Sequence, residues 1–269
     1  GFERYVVMAH YPEPHDFDGH WGISDEPFMQ FFAQDLNQYQ KPFMAGVFTL
    51  SSHHPYKIPG QYRDTFPEGP IPILHTVAYA DHALRQFFRT AKKQDWYDNT
   101  LFVLTADHTG KPYTYGFSNS LQNYRVPLMF YAPGDENLAG IDSRVSQQID
   151  ILPSIIDYLN LDMEFIALGN SVFKQNRAFA VNYLNGVYQL ISDHYLLQYD
   201  GHKSIGLYNY LVDPGLEYNL IHKEHDIVNR MNEKISTLIQ DYDCRMLKDK
   251  WQISTNNNSR TFYTLNEIY

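Results

Sequence analysis

Cysteine is almost absent from this chain of 269 residues, in which Cys244 is the only one. A disulfide within the chain is therefore excluded, and so is a zinc site built from several cysteines. Cys244 lies near the end of a helical pattern, with no glycine-rich turn or helix N-terminus beside it to activate a thiol. We expect it to have a structural role.

Basic residues are also scarce, since 21 lysines and arginines stand against 31 acidic residues and give a formal net charge of -10. Proteins that bind nucleic acid neutralise its phosphates with clusters of lysine and arginine, and no such run is present. Nucleic acid is therefore excluded as the expected partner.

Long apolar runs are missing as well. The longest, at 42–50 and 126–132, have about half of the roughly 20 residues that a membrane-spanning helix needs. We therefore expect the chain as given to be soluble.

Apolar material for a core is plentiful, at 43% of the residues. Apolar residues at helical spacing predict two amphipathic helices, at about 25–40 with Ser24 as the N-cap and at 76–93. Short apolar runs predict buried strands at 42–50, 101–106 and 126–132. A further helix is predicted at 151–159. Strands that alternate with helices indicate an α/β fold with a mostly parallel sheet covered by helices on both faces.

The pattern changes after residue 173, where short β-rich runs are separated by turns such as Asn185-Gly186 and Asp200-Gly201. We predict a small antiparallel sheet, closed by a long amphipathic helix at 224–242. The expected domains are therefore an α/β core over 1–172 and an antiparallel-sheet subdomain with its closing helix over 173–269. The polar tail at 254–269 has little pattern, and we expect it to fray.

Asp107 and His108 directly follow the predicted strand 101–106. Ligands of open α/β sheets bind beyond the carboxyl ends of the strands. A carboxylate beside an imidazole suits zinc, manganese or a similar divalent ion. The alternative is that Asp107 caps a turn and His108 packs, because two ligands alone make a weak site.

His53 and His54 follow another predicted strand, in TLSSHHPY. Either imidazole could face an anionic substrate, and the alternative is a polar turn with solvated histidines. Three more histidines lie in HYPEPHDFDGH at 10–20, whose prolines and glycine favour a surface loop over a metal site.

Six motifs in order resemble the sulfatase branch of the alkaline phosphatase superfamily, and within it the lipoteichoic acid synthase-type phosphoglycerol transferases. The motifs are WGISDE (21–26), TLSSHHPY (49–56), YADHALRQFF (79–88), WYDNTLFVLTADHTG (96–110), QQIDILPSII (147–156) and LYNYLVDPGLEYNL (207–220). The resemblance implies an alkaline phosphatase-like three-layer sandwich, with the small antiparallel sheet and closing helix at its carboxyl end.

The resemblance also implies roles for single residues. Asp107 and His108 match paired metal ligands, and His53 matches a histidine that contacts the substrate phosphate. His54 occupies a more variable position beside it. Trp21 and Asp25 would line the approach of the substrate, with capping and packing as the alternative.

The metal implied by the resemblance is a divalent ion, with manganese favoured over zinc, magnesium or calcium. Many two-metal relatives have a histidine where this chain has Gln148, which favours a single-metal, transferase-like site. Asp150 is then expected to organise the loop and the start of the helix rather than to bind metal.

Family members use a metal-bound threonine, serine or modified cysteine as nucleophile, and Cys-x-Pro-x-Arg, the sulfatase form of that motif, does not occur in this sequence. The resemblance places the nucleophile and a further acidic ligand upstream of Gly1, so we expect this chain by itself to be inactive. It also implies a parent protein anchored in the cell membrane by amino-terminal helices, with the catalytic domain on the outer side.

The function implied for that parent is a phosphoglycerol transferase acting on a phosphatidylglycerol-type lipid. Three alternatives stay open: a sulfatase acting on sulfated sugars, a phosphoethanolamine transferase and a non-catalytic binding module. The expected partner is thus a lipid or glycan ester of phosphate or sulfate.

Overall fold

The computed structural model describes residues 2–110, 112–113, 118–175 and 178–248. The chain divides into two compact units, 1–103 with 129–139 and 104–128 with 140–269. The boundary expected from the sequence at residue 172 stays a prediction. The expected fraying of the tail at 254–269 lies outside the described residues.

Two helices dominate the first unit and confirm the two amphipathic patterns. Helix α1 (Asp25–Asp35) and helix α2 (Ile73–Ala91) pack against each other. Ser24 stands at the N-cap of α1 as predicted, but its side chain makes no capping hydrogen bond. Asp25 and Glu26 instead place negative charge in the first turn, where it interacts favourably with the positive end of the helix dipole. The core between the helices consists of Met29, Ala33, Leu36, Ala83, Phe87, Ala91, Trp96 and Tyr97.

The predicted strands at 101–106 and 126–132 form strand β1 (Phe102–Thr105) and strand β2 (Leu128–Tyr131). The two strands are hydrogen-bonded neighbours in a two-stranded sheet. The rings of Phe102 and Tyr131 stack with their centroids 5.9 Å apart. Both predicted strands are confirmed, but the predicted burial is wrong, because neither strand contains a buried residue and Met129 and Tyr131 keep 50% and 40% of their surface exposed.

The buried strand predicted at 42–50 is wrong. Residues 43–50 belong to no strand in the described part of the chain, and most of them are exposed. Met44 keeps 75% and Phe48 69% of its surface in contact with solvent. An apolar run becomes a buried strand only where a neighbouring strand pairs its backbone and another layer covers its side chains.

The second unit contains a short helix, an antiparallel sheet and a long helix. Helix α3 (Ile151–Tyr158) comes first. The sheet follows in chain order as β3 (Phe179–Leu184), β4 (Val187–Ser192), β5 (Tyr195–Tyr199) and β6 (Ser204–Asn209), and α4 (His225–Leu247) closes the unit. Asn185 and Gly186 have φ values of 53° and 85°, the left-handed pair that a tight hairpin between β3 and β4 favours.

One face of this sheet packs against α4. Leu190, Leu197 and Leu207 from three successive strands meet Met231 and Ile235 of the helix. The antiparallel sheet and the closing helix are thereby confirmed. Among the described residues, no helix combines the length and the apolar character needed to cross a membrane.

Candidate functional site

The Asp107–His108 pair lies just beyond the end of β1, as the sequence predicts. The two side chains are 59% and 61% exposed. Asp107 Oδ1 accepts a hydrogen bond from the backbone N–H of His108 at 2.8 Å. This leaves Asp107 Oδ2, which lies 3.5 Å from His108 Nε2.

The protonation of His108 decides what this pair can bind. His108 Nδ1 lies 2.8 Å from the carbonyl oxygen of Thr109, which can only accept, so Nδ1 carries the proton. In the neutral ring, Nε2 then offers a lone pair toward Asp107 Oδ2. Two lone-pair atoms 3.5 Å apart fit one divalent ion bound to both at about 2.0–2.2 Å.

This pair supplies only part of a metal site. Across the described residues, no group of three or more histidine, cysteine, aspartate or glutamate side chains is arranged to hold a metal ion. A tight site takes about four ligands. Asp107 and His108 therefore have the chemistry and spacing of two ligands of a divalent metal.

The turn that carries the pair is held from two directions. The side-chain amide of Gln148 donates to the carbonyl oxygens of Ala106 at 2.6 Å and Asp107 at 3.1 Å. The backbone N–H and the hydroxyl of Thr109 both donate to the carbonyl oxygen of Asn123, at 3.2 and 3.0 Å. The residues that orient the pair are thus far from it in sequence.

Asp150 is buried, with 6% of its surface exposed. Its carboxylate accepts hydrogen bonds from the backbone N–H groups of Gln147 at 2.9 Å and Asn170 at 2.8 Å. Burial raises the pKa of this carboxyl group, and the two backbone bonds partly offset the rise. These contacts are those of a residue that organises the loop before α3.

The predicted substrate residues Trp21, His53 and His54 come together in the first unit. The rings of Trp21 and His53 lie with centroids 4.1 Å apart. Trp21 Nε1 donates to the carbonyl oxygen of His54 at 2.6 Å, and His53 Nδ1 lies 2.9 Å from the same oxygen. Since Nδ1 is thereby the protonated nitrogen, His53 can donate from Nε2 to an anion only when the ring is doubly protonated.

His54 contributes to this group mainly through its backbone. Its ring makes an edge contact with Tyr56 at 5.7 Å between centroids, while its carbonyl oxygen is the shared acceptor. The sequence identifies the residue but does not indicate that its main chain is the part that connects Trp21 and His53.

Asp25 has a different setting, because only 3% of its surface is exposed. Asp25 Oδ1 accepts from the backbone N–H groups of Leu50 at 2.8 Å and Ser51 at 2.9 Å. Burial raises the pKa of the Asp25 carboxyl, against the lowering effect of these hydrogen bonds. The structure therefore favours the packing alternative for Asp25, which anchors the start of the loop that carries His53.

Asp18 is a positioning residue that the sequence analysis missed. Asp18 Oδ1 accepts from three successive backbone N–H groups, those of His20, Trp21 and Gly22, at 2.7–3.2 Å. These bonds fix the turn that presents Trp21, whose side chain is 54% exposed. An aspartate two residues before an exposed turn is a recognisable signal for such a contact. The histidines of the 10–20 segment are themselves exposed.

Comparisons with known proteins agree on one family. A family model described as Sulfatase matches residues 1–161. Lipoteichoic acid synthase 1 of Bacillus subtilis (strain 168) is 24% identical over 204 residues, which are 69% of this chain and 32% of that protein. The chain thus spans about a third of the length of this relative.

Solved structures share the fold. A protein of the alkaline phosphatase superfamily from Vibrio parahaemolyticus matches with a TM-score of 0.64 and 24% identity, over 84% of this chain and 60% of its own. The phosphonate monoester hydrolase of Agrobacterium radiobacter matches with a TM-score of 0.61 and 17% identity, over 81% and 62%. The expected alkaline phosphatase-like α/β fold is confirmed.

Proposed function

The chain belongs to the sulfatase family, and on that premise we propose that the complete enzyme carrying it is a phosphoglycerol transferase. Its donor is a phosphatidylglycerol-type lipid, and Asp107 and His108 are ligands of an essential divalent ion, manganese by preference. The observation that carries the metal assignment is the 3.5 Å approach of Asp107 Oδ2 and His108 Nε2. The similarity to a lipoteichoic acid synthase supports the lipid donor.

The proposed reaction begins with attack of an enzyme hydroxyl, supplied outside the described residues, on the phosphorus of the donor. The bond from phosphorus to the diacylglycerol oxygen breaks, and that oxygen leaves with a proton. The phosphoglycerol group is then passed from the enzyme to an acceptor alcohol or to water, which regenerates the hydroxyl. A divalent ion, when bound, would lower the pKa of the attacking hydroxyl and neutralise charge on the transferred phosphoryl group.

The residues of this chain have separate tasks in that scheme. The Thr109 carbonyl keeps the proton of His108 on Nδ1, so that Nε2 stays available as a ligand. The His53 ring contacts a non-bridging phosphate oxygen through Nε2. Trp21 packs against His53 with its ring tilted by 58° and donates to the His54 carbonyl that orients the His53 ring.

The proposed location follows from the donor. A transferase that draws on a membrane lipid works at the cell membrane, and we propose that this domain faces the outer side. Attachment would come from a segment outside the described residues.

The test uses the complete product of the gene, with the DNA upstream of the Gly1 codon read first. Purified enzyme with Mn²⁺ should release diacylglycerol from a fluorescent phosphatidylglycerol and transfer glycerol phosphate. Asp107→Ala and His53→Ala should abolish or strongly reduce this turnover, and His15→Ala should not, because His15 is an exposed histidine of the 10–20 segment.

A sulfuric ester hydrolase is the second candidate, because the matching family model is described as Sulfatase. A Cys-x-Pro-x-Arg motif upstream and release of sulfate without lipid turnover would establish that alternative. A phosphoethanolamine transferase would be recognised by its donor, a lipid that carries phosphoethanolamine in place of phosphoglycerol. Absence of any upstream nucleophile, with no turnover of either ester, would identify a binding module.

A further inference from the structure

We propose that Gln148 is a positioning residue for the Asp107–His108 pair, acting through the main chain of the turn rather than as a ligand. The inference rests on the proposed function, since it assumes that the pair binds a divalent ion. Gln148 lies 40 positions after His108. From the sequence, this position is notable only because many two-metal relatives have a histidine there.

The geometry uses the full donor capacity of the Gln148 side chain. A carboxamide nitrogen has two hydrogens, and Gln148 Nε2 has two acceptors, the carbonyl oxygens of Ala106 at 2.6 Å and Asp107 at 3.1 Å. No hydrogen of this amide is left over for a substrate. The side chain is thus committed to the turn.

The two acceptors flank a single residue. The carbonyls of Ala106 and Asp107 belong to the peptide planes on either side of the Asp107 Cα atom. A donor that holds both planes restricts φ and ψ of Asp107, and therefore the direction of its carboxylate. It also fixes the orientation of the peptide group between Asp107 and His108, whose backbone N–H donates to Asp107 Oδ1.

Gln148 is itself anchored on a buried group. It lies in a short 3-10 turn, Gln148–Asp150, directly before α3. Asp150 accepts from the Gln147 N–H on one side and from the Asn170 N–H on the other. The buried Asp150 carboxylate therefore fixes the turn, and the turn presents Gln148 to the end of β1.

A fixed donor matters at this position because the pair is otherwise exposed. Asp107 and His108 keep about 60% of their side-chain surface in solvent, so packing does not hold them. Removal of a group that hydrogen-bonds to a metal-binding residue and orients it commonly lowers metal affinity by about 10–100-fold. We expect an effect at the lower end of that range, about tenfold, because the bonds act on the backbone.

The test titrates the 269-residue chain with Mn²⁺ and follows the paramagnetic broadening of the His108 ring protons by NMR. The His108 signal is assigned by its loss in His108→Gln. Gln148→Met keeps the length of the side chain and removes both donors. Gln34→Met is the matched control, because Gln34 lies exposed on α1 and the substitution makes the same change of side chain away from the turn.

The inference predicts that Gln148→Met needs roughly tenfold more Mn²⁺ for half-broadening of the His108 signal, while Gln34→Met behaves as the wild type. Circular dichroism melting checks that both variants fold. If Gln148→Met unfolds, Gln148→Asn is used, which is too short to reach both carbonyls and should shift the titration in the same direction.

The outcomes separate the two claims. Broadening of His108 in the wild type, with an unchanged titration in the folded Gln148 variant, would overturn the positioning role and leave the metal pair standing. Absence of broadening in the wild type up to millimolar Mn²⁺ would overturn this inference, because the turn would then position no bound ion. The metal pair is tested separately, by the turnover of Asp107→Ala in the complete enzyme.

Discussion

Trp21 and His53 direct their ring N–H groups at one acceptor, the carbonyl oxygen of His54, while their rings lie 4.1 Å apart. The arrangement fixes both the position and the tautomer of the His53 imidazole. Its Nε2 is the nitrogen left to meet a ligand. A histidine in an exposed loop is thereby held in one orientation.

His53→Ala should lower kcat of the complete enzyme by roughly 10²-fold, since removal of one preorganised donor to a developing oxyanion typically costs that much. His54→Ala should cost far less, because its carbonyl is retained. Steady-state kinetics on fluorescent phosphatidylglycerol measure both. Equal losses in the two variants would contradict the assignment of the phosphate contact to the His53 ring.

Metal binding should depend on both members of the Asp107–His108 pair. Asp107→Asn should raise the Mn²⁺ concentration needed to broaden the His108 signal, because an amide is a weaker ligand than a carboxylate. A titration that is unaffected by this substitution would mean that Mn²⁺ binds at another place.

Asp25 should make the free energy of unfolding depend on pH. Its pKa is raised in the folded state by burial, so the folded protein holds this proton more tightly than the unfolded chain. Its contribution is fully present below the unfolded pKa of about 3.9 and is lost as the pH rises through the folded pKa. The difference in stability between wild type and Asp25→Asn should therefore fall with rising pH.

Urea denaturation of both proteins at a series of pH values measures that difference. The comparison cancels the titration of the other acidic residues, which the two proteins share. A difference that stays constant across the acid range would show that the Asp25 pKa is the same in the folded and unfolded chains.

Gly169→Ala should destabilise the second unit by about 1–3 kcal/mol, as expected for overpacking. A Cβ atom at this position would lie 2.3 Å from the carbonyl oxygen of Ile149 and 2.6 Å from Asp150 Oδ1. Gly46→Ala is the control, since its Cβ would meet nothing within 4 Å. Thermal unfolding compares the two, and equal melting temperatures would mean that the loop relaxes without cost.

Ile235→Ala should cost about 2–5 kcal/mol, because it opens a cavity between α4 and the antiparallel sheet. Ile235 is fully buried in the cluster that includes Leu190, Leu197 and Leu207. Val212→Ala, at a side chain 80% exposed, should change stability by no more than about 0.5 kcal/mol. Urea denaturation of the two variants tests whether this cluster holds the second unit together.

The sequence by itself determined the elements whose pattern is local. The stripes of α1, α2 and α4 and the hairpin turn at Asn185-Gly186 depend on residues within a few positions of one another, so periodicity and turn chemistry identify them. The motifs around Asp107 and His53 likewise indicated the family, which residues 1–161 confirm.

Only the tertiary structure decided what depends on distant partners. The apolar run at 42–50 is exposed, because burial depends on neighbours that a local pattern does not contain. Asp25 anchors Leu50 and Ser51, and Gln148 holds Ala106 and Asp107. Hydrogen bonds across 25 or 41 positions require the chain to bring the two groups together in space. That encounter follows from packing rather than from any spacing of residues along the sequence.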